Sequence, residues 1–195
     1  MFESPQRLRE EITSRVQSLL YYFKPASLDG TALIGQFVAS AIDIRPWSEH
    51  QLTAVRSGPV LTLGVAGDHH EVPSVVYYKP IAAAGAVLAV AAGVLGAASA
   101  LFVGLAVVSG ILAINGVRTV ASAAESLLFW VVYSADGHRD SRETVKARFE
   151  AAAATVPDVE VADFEPALHA LARLGCVRIA GTAIEVADRI IVHWH

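Results

Sequence analysis

Residues 81–117 form a run of 37 residues without a single charged side chain. The only polar side chains in it are those of Ser99, Ser109 and Asn115. A single helix of this length would be about 55 Å long, whereas the hydrocarbon core of a bilayer is about 30 Å thick. A turn near residues 96–99 would divide the run into two crossings. The sequence therefore predicts a transmembrane helical hairpin over residues 81–117.

Charges on either side of this run indicate how it would be oriented. Lys79 precedes it and Arg118 follows it, while the turn between the two crossings is uncharged. Positive charges favour the cytoplasmic side of a membrane protein. We therefore expect a membrane localisation, with the segments before and after the hairpin both in the cytoplasm and with the lipid bilayer as a partner.

A stripe of small residues favours a different arrangement of the same run. Its members follow one another at spacings of 4, 4, 3, 4 and 4, and they are Gly85, Ala89, Gly93, Gly96, Ala100 and Gly104. A stripe of this kind lets two helices pack closely, and here it passes through the proposed turn. One continuous helix, with the stripe as its packing interface, is thus an alternative. A third interpretation buries the run inside a protein assembly without any membrane.

The next segment, residues 118–137, is apolar but contains the carboxylate of Glu125. Trp130 and Tyr133 are residue types enriched where a bilayer meets water. We therefore predict an amphipathic helix lying in the membrane interface. Glu125 would be a carboxylate at that interface, because ionisable groups at membrane depth are costly and usually functional.

The first lobe, residues 1–80, shows helical patterns followed by strand patterns. Pro5 begins a helix that ends at Lys24, and a second helix is predicted from Thr31 to Ile42. A short helix is expected over 48–56. Residues 60–65 and 72–78 are rich in β-branched and aromatic side chains, which predicts a β-hairpin.

The last lobe, residues 138–195, repeats this order. Asp140 is expected to begin one helix and Asp163 another, in which leucines at a spacing of three form the buried side. Gly175 is expected to end the second helix in a left-handed conformation. Residues 176–180 and 184–194 are predicted strands.

The run Leu168-x-x-Leu171-x-x-Leu174-Gly175-x-Val177-x-Ile179 resembles the last helix and wing of winged-helix domains. Some winged helices bind DNA through basic residues on that helix, and others contact only proteins. Here the helix offers Arg173 beside Glu165 and His169. The resemblance therefore implies protein partners and no nucleic acid. The first lobe parallels the last one loosely, so the predicted fold class is an α+β membrane protein: a central apolar helical hairpin flanked by two winged-helix-like lobes.

Few residues suggest chemistry. No phosphate-binding, dinucleotide-binding, nucleophile-elbow or zinc-protease motif is present. His69, His70 and Glu71 lie together in a predicted turn, and His193 and His195 share a strand face. The single cysteine, Cys176, is expected to be a small core residue. We predict no enzyme activity, no catalytic residues, no cofactor and no metal.

Three functions follow from these patterns. The first is a non-enzymatic membrane protein that forms homo-oligomers through its Gly- and Ala-rich helices, as a pore or an anchored assembly, with its lobes as protein-interaction modules. In composition the apolar run resembles the hydrophobic hairpin of pore-forming colicins. The second is a structural subunit of a large soluble assembly, such as a phage or an injection machine, with the apolar helix buried between copies. The third is an enzyme with a site at His69, His70 and Glu71.

Overall fold

A computed structural model describes residues 5–46, 74–95, 99–117 and 119–192. Within these ranges the chain forms seven α-helices and six strands. The helices are α1 Pro5–Phe23, α2 Gly30–Ala41, α3 Pro80–Leu95, α4 Ser99–Ile114, α5 Ala123–Tyr133, α6 Arg142–Ala153 and α7 Phe164–Arg173. The strands are β1 Ile42–Pro46, β2 Ser74–Tyr78, β3 Arg139–Ser141, β4 Val177–Ala180, β5 Ala183–Val186 and β6 Ile190–Val192.

The first two helices begin and end close to the predicted positions. The buried side chains of α1 recur at every fourth residue, at Leu8, Ile12, Val16 and Leu20. Asp29 caps α2, because its carboxylate accepts hydrogen bonds from the backbone N–H groups of Thr31 and Ala32. The predicted third helix, over 48–56, and the predicted strand over 60–65 lie outside the described residues.

The first sheet has the strand order β1-β2-β6, with both pairs antiparallel. β1 continues directly from α2, although Ile42 was predicted to be helical. Ile42 pairs with Tyr78 at one end of this strand pair. β6 adds to the other side of β2, where Val192 pairs with Val76. The beginning and the end of the chain therefore contribute to the same sheet.

The apolar run forms two helices, α3 and α4, on either side of residues 96–98. α4 is surrounded by α1, α3 and α5. It approaches α5 so closely that a Cβ atom on Gly104 would lie 1.9 Å from the carbonyl oxygen of Ser126. The Ser109 hydroxyl accepts a 2.9 Å hydrogen bond from the Ala121 N–H, and the Tyr78 hydroxyl donates one of 2.8 Å to the Val107 carbonyl. Polar groups buried around α4 are thus paired.

These helices contradict the predicted membrane fold. Each is 16 residues long, or about 24 Å, which falls short of a hydrocarbon core of about 30 Å. In the part of the chain that is described, no helix combines the length and the apolarity that a bilayer crossing requires. The predictions of a transmembrane hairpin, a pore and a membrane localisation with cytoplasmic lobes are therefore wrong. A helix that is apolar on all sides fits either a membrane or a protein core, and α4 lies in a core.

The interfacial helix predicted over 118–137 is instead an internal helix, α5. Ser122 and Glu125 form a capping box in which each side chain accepts a hydrogen bond from the other residue's backbone N–H. Leu127, Leu128 and Val131 are buried between α4 and the last two helices. The chain then continues through a second sheet of order β3-β5-β4, with α6 and α7 inserted between β3 and β4.

Two separate lobes flanking a hairpin are also contradicted. One continuous cluster of buried apolar side chains extends from Leu8 in α1 to Val192 in β6. It passes through α4 and α5, and it includes β6, which is an edge strand of the first sheet. The described residues are a mixed helix and sheet fold with two small three-stranded sheets.

Candidate assembly surface

α3 is unusual because it has no polar side chain at all and yet is not fully covered. Its sequence is PIAAAGAVLAVAAGVL. One side packs on α2 and α4, with Ala83, Ala84 and Val87 fully buried. The opposite side is the α3 outer face, which we define as Ile81, Ala82, Gly85, Leu88 and Ala89. These residues share one side of a helix, at offsets of 1, 4, 7 and 8 from Ile81.

Small residues make the centre of this surface flat. Gly85 and Ala89 are exposed, and Ile81, Ala82 and Leu88 around them are half-buried. A Cβ atom added at Gly85 would meet nothing within 4 Å. A water-exposed helix normally carries charged or polar residues on its outer side. The α3 outer face lacks them, so it has the composition of a contact surface.

The small residues proposed as one packing stripe are divided between two different helices, α3 and α4, where the structure describes them. Gly85 and Ala89 are on the α3 outer face, and Gly93 lies in the last turn of α3. Gly96 lies outside the described residues. Ala100 is half-buried in α4, and Gly104 packs inside the protein against Ser126. The structure therefore leaves two described members of the stripe, Gly85 and Ala89, open to a partner.

Glu125 has a local structural role. Its carboxylate accepts a 2.9 Å hydrogen bond from the Ser122 N–H, which completes the capping box at the start of α5. A carboxylate in the first turn of a helix also opposes the positive end of the helix dipole. The Ser122-x-x-Glu125 pattern is readable from the sequence, and it accounts for the charge in this apolar segment without a bilayer.

Chemically reactive groups do not gather in the described part of the chain. No three His, Cys, Asp or Glu side chains there are arranged as a metal site. Cys176 is completely buried, as predicted, and burial raises the pKa of its thiol to about 12. At neutral pH this thiol is protonated and a poor nucleophile. His69, His70, Glu71, His193 and His195 lie outside the described residues.

The surface of α7 carries charges of both signs. Arg142 donates two hydrogen bonds of 2.7 and 2.6 Å to the Glu165 carboxylate, and this contact lowers the pKa of Glu165. His169 and Arg173 are exposed one and two turns further along the helix. The second sheet adds an ion pair of 3.3 Å between Arg178 and Glu185. This surface is mixed and shows no concentration of positive charge.

Comparison with known proteins gives no family: no family model, no curated protein and no solved structure matches this chain. Gly85 and Ala89 were predicted from the sequence as interface residues, whereas Ile81, Ala82 and Leu88 beside them were not. Their offsets from Gly85 were readable, but a run that is apolar at every position does not indicate which side stays uncovered.

Proposed function

We propose that this protein is a non-enzymatic subunit of a homo-oligomeric assembly, in which the α3 outer face of one copy packs against the same face of another. The observation that carries the proposal is a helix of 16 residues without any polar side chain, one face of which the described residues leave uncovered. Removing apolar surface from water is the main favourable contribution to protein association.

A second copy suits this face for two reasons. The face has no charge, so two copies can meet about a two-fold axis without like-charge repulsion. Gly85 and Ala89 are one helical turn apart, and small residues at this spacing allow two helix axes to come close. Neither reason depends on lipid. The proposed oligomer is therefore the soluble assembly predicted from the sequence, in which the apolar helix is buried between copies.

Sedimentation equilibrium in detergent-free buffer tests the proposal. We expect the wild type to form dimers or larger oligomers, and Ala89→Arg to be a monomer with an unchanged circular dichroism spectrum. The matched control is Ala39→Arg, which places the same charge on an exposed position of α2. A wild type that stays monomeric up to its solubility limit would rule the assembly out, as would an Ala89→Arg variant that assembles like the wild type.

A second proposal concerns residues 123–186: we propose that they form a winged-helix-like module that contacts proteins. It is supported by the order of helix, strand, two helices and hairpin, and by the position of β5 between β3 and β4. α5 supplies the first helix, which the sequence resemblance did not include. Residues 123–186 carry 6 Lys and Arg against 10 Asp and Glu, a balance that disfavours binding to phosphates.

Fluorescence anisotropy with labelled double-stranded DNA tests this second proposal. We expect no binding at low salt, where electrostatic attraction to DNA is strongest. Binding that weakens with salt and is lost in Arg173→Gln would contradict a role restricted to protein contacts.

A further inference from the structure

The first sheet has one face against the helices and one face turned away from them. On the helix side, Tyr78 of β2 is completely buried and its hydroxyl donates to the Val107 carbonyl of α4. Side chains alternate between the two faces along a strand, so Tyr77 lies on the opposite face. Its cross-strand partner there is Asp43 of β1. We call this side the outer face of the first sheet.

Positively charged side chains collect on this outer face. Two of them lie over the Tyr77 ring: the guanidinium carbon of Arg189 is 4.7 Å from the ring centroid, and that of Arg45 is 5.9 Å from it. The third is Lys79, whose Nζ lies 3.2 Å from the Asp43 carboxylate. These cations come from β1, from the residue after β2 and from the residue before β6. The pairing of the strands therefore brings them together.

The strand register places two of the cations opposite each other. Tyr78 pairs with Ile190 in the antiparallel pair of β2 and β6. The next residues at that end of the pair are Lys79 and Arg189. Like charges at facing positions of neighbouring strands are unfavourable. An anion between Lys79 and Arg189 would turn this repulsion into two attractive contacts.

Asp43 is the carboxylate within this cluster, and it is shared by two of the cations. It accepts hydrogen bonds of 3.0 and 2.7 Å from Arg45 in addition to its ion pair with Lys79. The hydrogen bond from Arg45 lowers the pKa of Asp43, so this carboxylate is ionised at neutral pH. Asp43 therefore balances one of the three positive charges.

Arg189 is the cation that Asp43 does not contact. Its side chain lies over the Tyr77 ring and forms no ion pair within the described ranges. The neighbouring carboxylate of Asp188 lies 4.0 Å from Arg178 instead. A guanidinium group over an aromatic ring is held in position and keeps a planar set of N–H donors for an anion. Arg189 is exposed, so a ligand can reach it from solvent.

We propose that the outer face of the first sheet binds a soluble phosphate monoester, with its phosphate group between Lys79 and Arg189. Three cations and one carboxylate leave two positive charges in the cluster. A phosphate monoester carries a charge of about −1.5 to −2 at neutral pH, which matches them. Arginine can bind phosphate oxygens with two parallel hydrogen bonds, and lysine adds a compact charge. A phosphodiester has one charge, so nucleic acid satisfies this cluster only in part.

Two small probes that differ by one charge test the proposal. Methyl phosphate is a dianion at about pH 8, whereas dimethyl phosphate is a monoanion of similar shape. In calorimetric titrations of the full-length protein at low ionic strength, we expect methyl phosphate to bind about tenfold more tightly. In NMR spectra, the backbone amide and side-chain Nε signals of Arg189 should shift when methyl phosphate is added.

Variants of the cluster should change binding in opposite directions. Arg189→Gln should weaken methyl phosphate binding about tenfold, which is typical of a lost charged hydrogen bond. Its matched control is Arg173→Gln, which removes the same charge from an exposed position of α7. Asp43→Asn should strengthen binding, because it removes the carboxylate that competes with phosphate for Lys79. Circular dichroism should show all three variants folded.

Several results would overturn the proposal. One is that methyl phosphate does not bind, or that dimethyl phosphate binds equally well. Another is that Arg189→Gln binds like the wild type, because Arg189 would then only cover Tyr77. Equal losses in Arg189→Gln and Arg173→Gln would indicate general electrostatic attraction and no site, and weaker binding in Asp43→Asn would show that Asp43 supports the phosphate. Binding to vesicles that contain phosphatidic acid, without binding to methyl phosphate, would assign the face to a membrane surface and also overturn the proposal.

Discussion

α3 and α4 are both 16 residues long and neither has a charged side chain, yet they are placed in opposite ways. α4 is enclosed by α1, α3 and α5, and its buried Ser109 is paired. α3 packs on α2 and α4 but leaves Gly85 and Ala89 exposed. Two helices of nearly the same composition thus differ in what covers them. Apolarity shows that a helix needs covering, but it does not show whether the cover is the same chain, another chain or lipid.

The largest expected difference between the two helices comes from truncating an apolar side chain. Ile111 in α4 is completely buried, so Ile111→Ala should lower the free energy of unfolding by about 2–5 kcal/mol. Leu88→Ala on the half-buried α3 outer face should cost less than half as much. Urea unfolding at a concentration where the protein is monomeric measures both losses. Equal losses would show that α3 is as enclosed as α4.

A smaller effect on stability is expected at Gly104, where α4 contacts the backbone of α5. A methyl group at Gly104 would overlap the Ser126 carbonyl, so Gly104→Ala should destabilise the protein by about 1–3 kcal/mol through overpacking. Gly35→Ala is the control, because a Cβ atom there meets nothing within 4 Å. That variant should gain about 0.5–1 kcal/mol, the helix-propensity difference between alanine and glycine. Thermal and urea unfolding measure the change in stability of both variants. If Gly104→Ala and Gly35→Ala changed the free energy of unfolding in the same direction, the close contact between α4 and α5 would be wrong.

Replacing Ser109 measures how much a buried hydrogen bond at α4 contributes to the stability of the protein. Ser109→Ala leaves the buried Ala121 N–H without an acceptor, which should cost about 1–3 kcal/mol. Hydrogen exchange should show faster exchange of the Ala121 amide in the variant. Unchanged exchange at Ala121 would mean that this N–H has another acceptor.

The smallest effect is expected on the α3 outer face, and there its sign is informative. Gly85→Ala should raise the free energy of unfolding of the monomer by about 0.5–1 kcal/mol, because the new methyl group meets open space and improves helix propensity. The same methyl group should weaken the oligomer by separating the two helices. Sedimentation and unfolding should be measured on one preparation of the Gly85→Ala variant. If the stability of the monomer and the affinity of association both increased, the α3 outer face would not be the contact surface.

Local sequence patterns predicted where helices begin and end better than they predicted what packs around those helices. Proline at the first position and the apolar spacing located α1, and Gly175 does adopt a left-handed conformation, at φ +76°. By contrast, the strand that begins at Ile42 was missed, because apolar spacing does not show where a helix passes directly into a strand. Asp163 was expected to cap α7, but its carboxylate instead accepts a hydrogen bond from the Glu160 N–H.

Contacts between distant parts of the chain could not be predicted. Val76 and Val192 are 116 residues apart and pair in the first sheet, and nothing in either segment specifies the other. α1 likewise packs against α4, and no pattern in either helix specifies this contact. The apolar run is compatible with a bilayer and with a protein core, and the helices that pack around α4 decide for the core.

The pairing of β6 with β2 also has a consequence for biosynthesis. A ribosome adds roughly 5–20 residues per second, so the two strands of this pair are made several seconds or more apart. During that interval β6 has not been synthesised, so the edge of β2 has no strand to pair with and the apolar helices that follow β2 lack the last part of the fold. Nascent chains in this state expose surfaces that chaperones recognise, and they are prone to aggregate. Translation speed over the part of the message between β2 and β6 is therefore expected to influence how much folded protein a cell obtains.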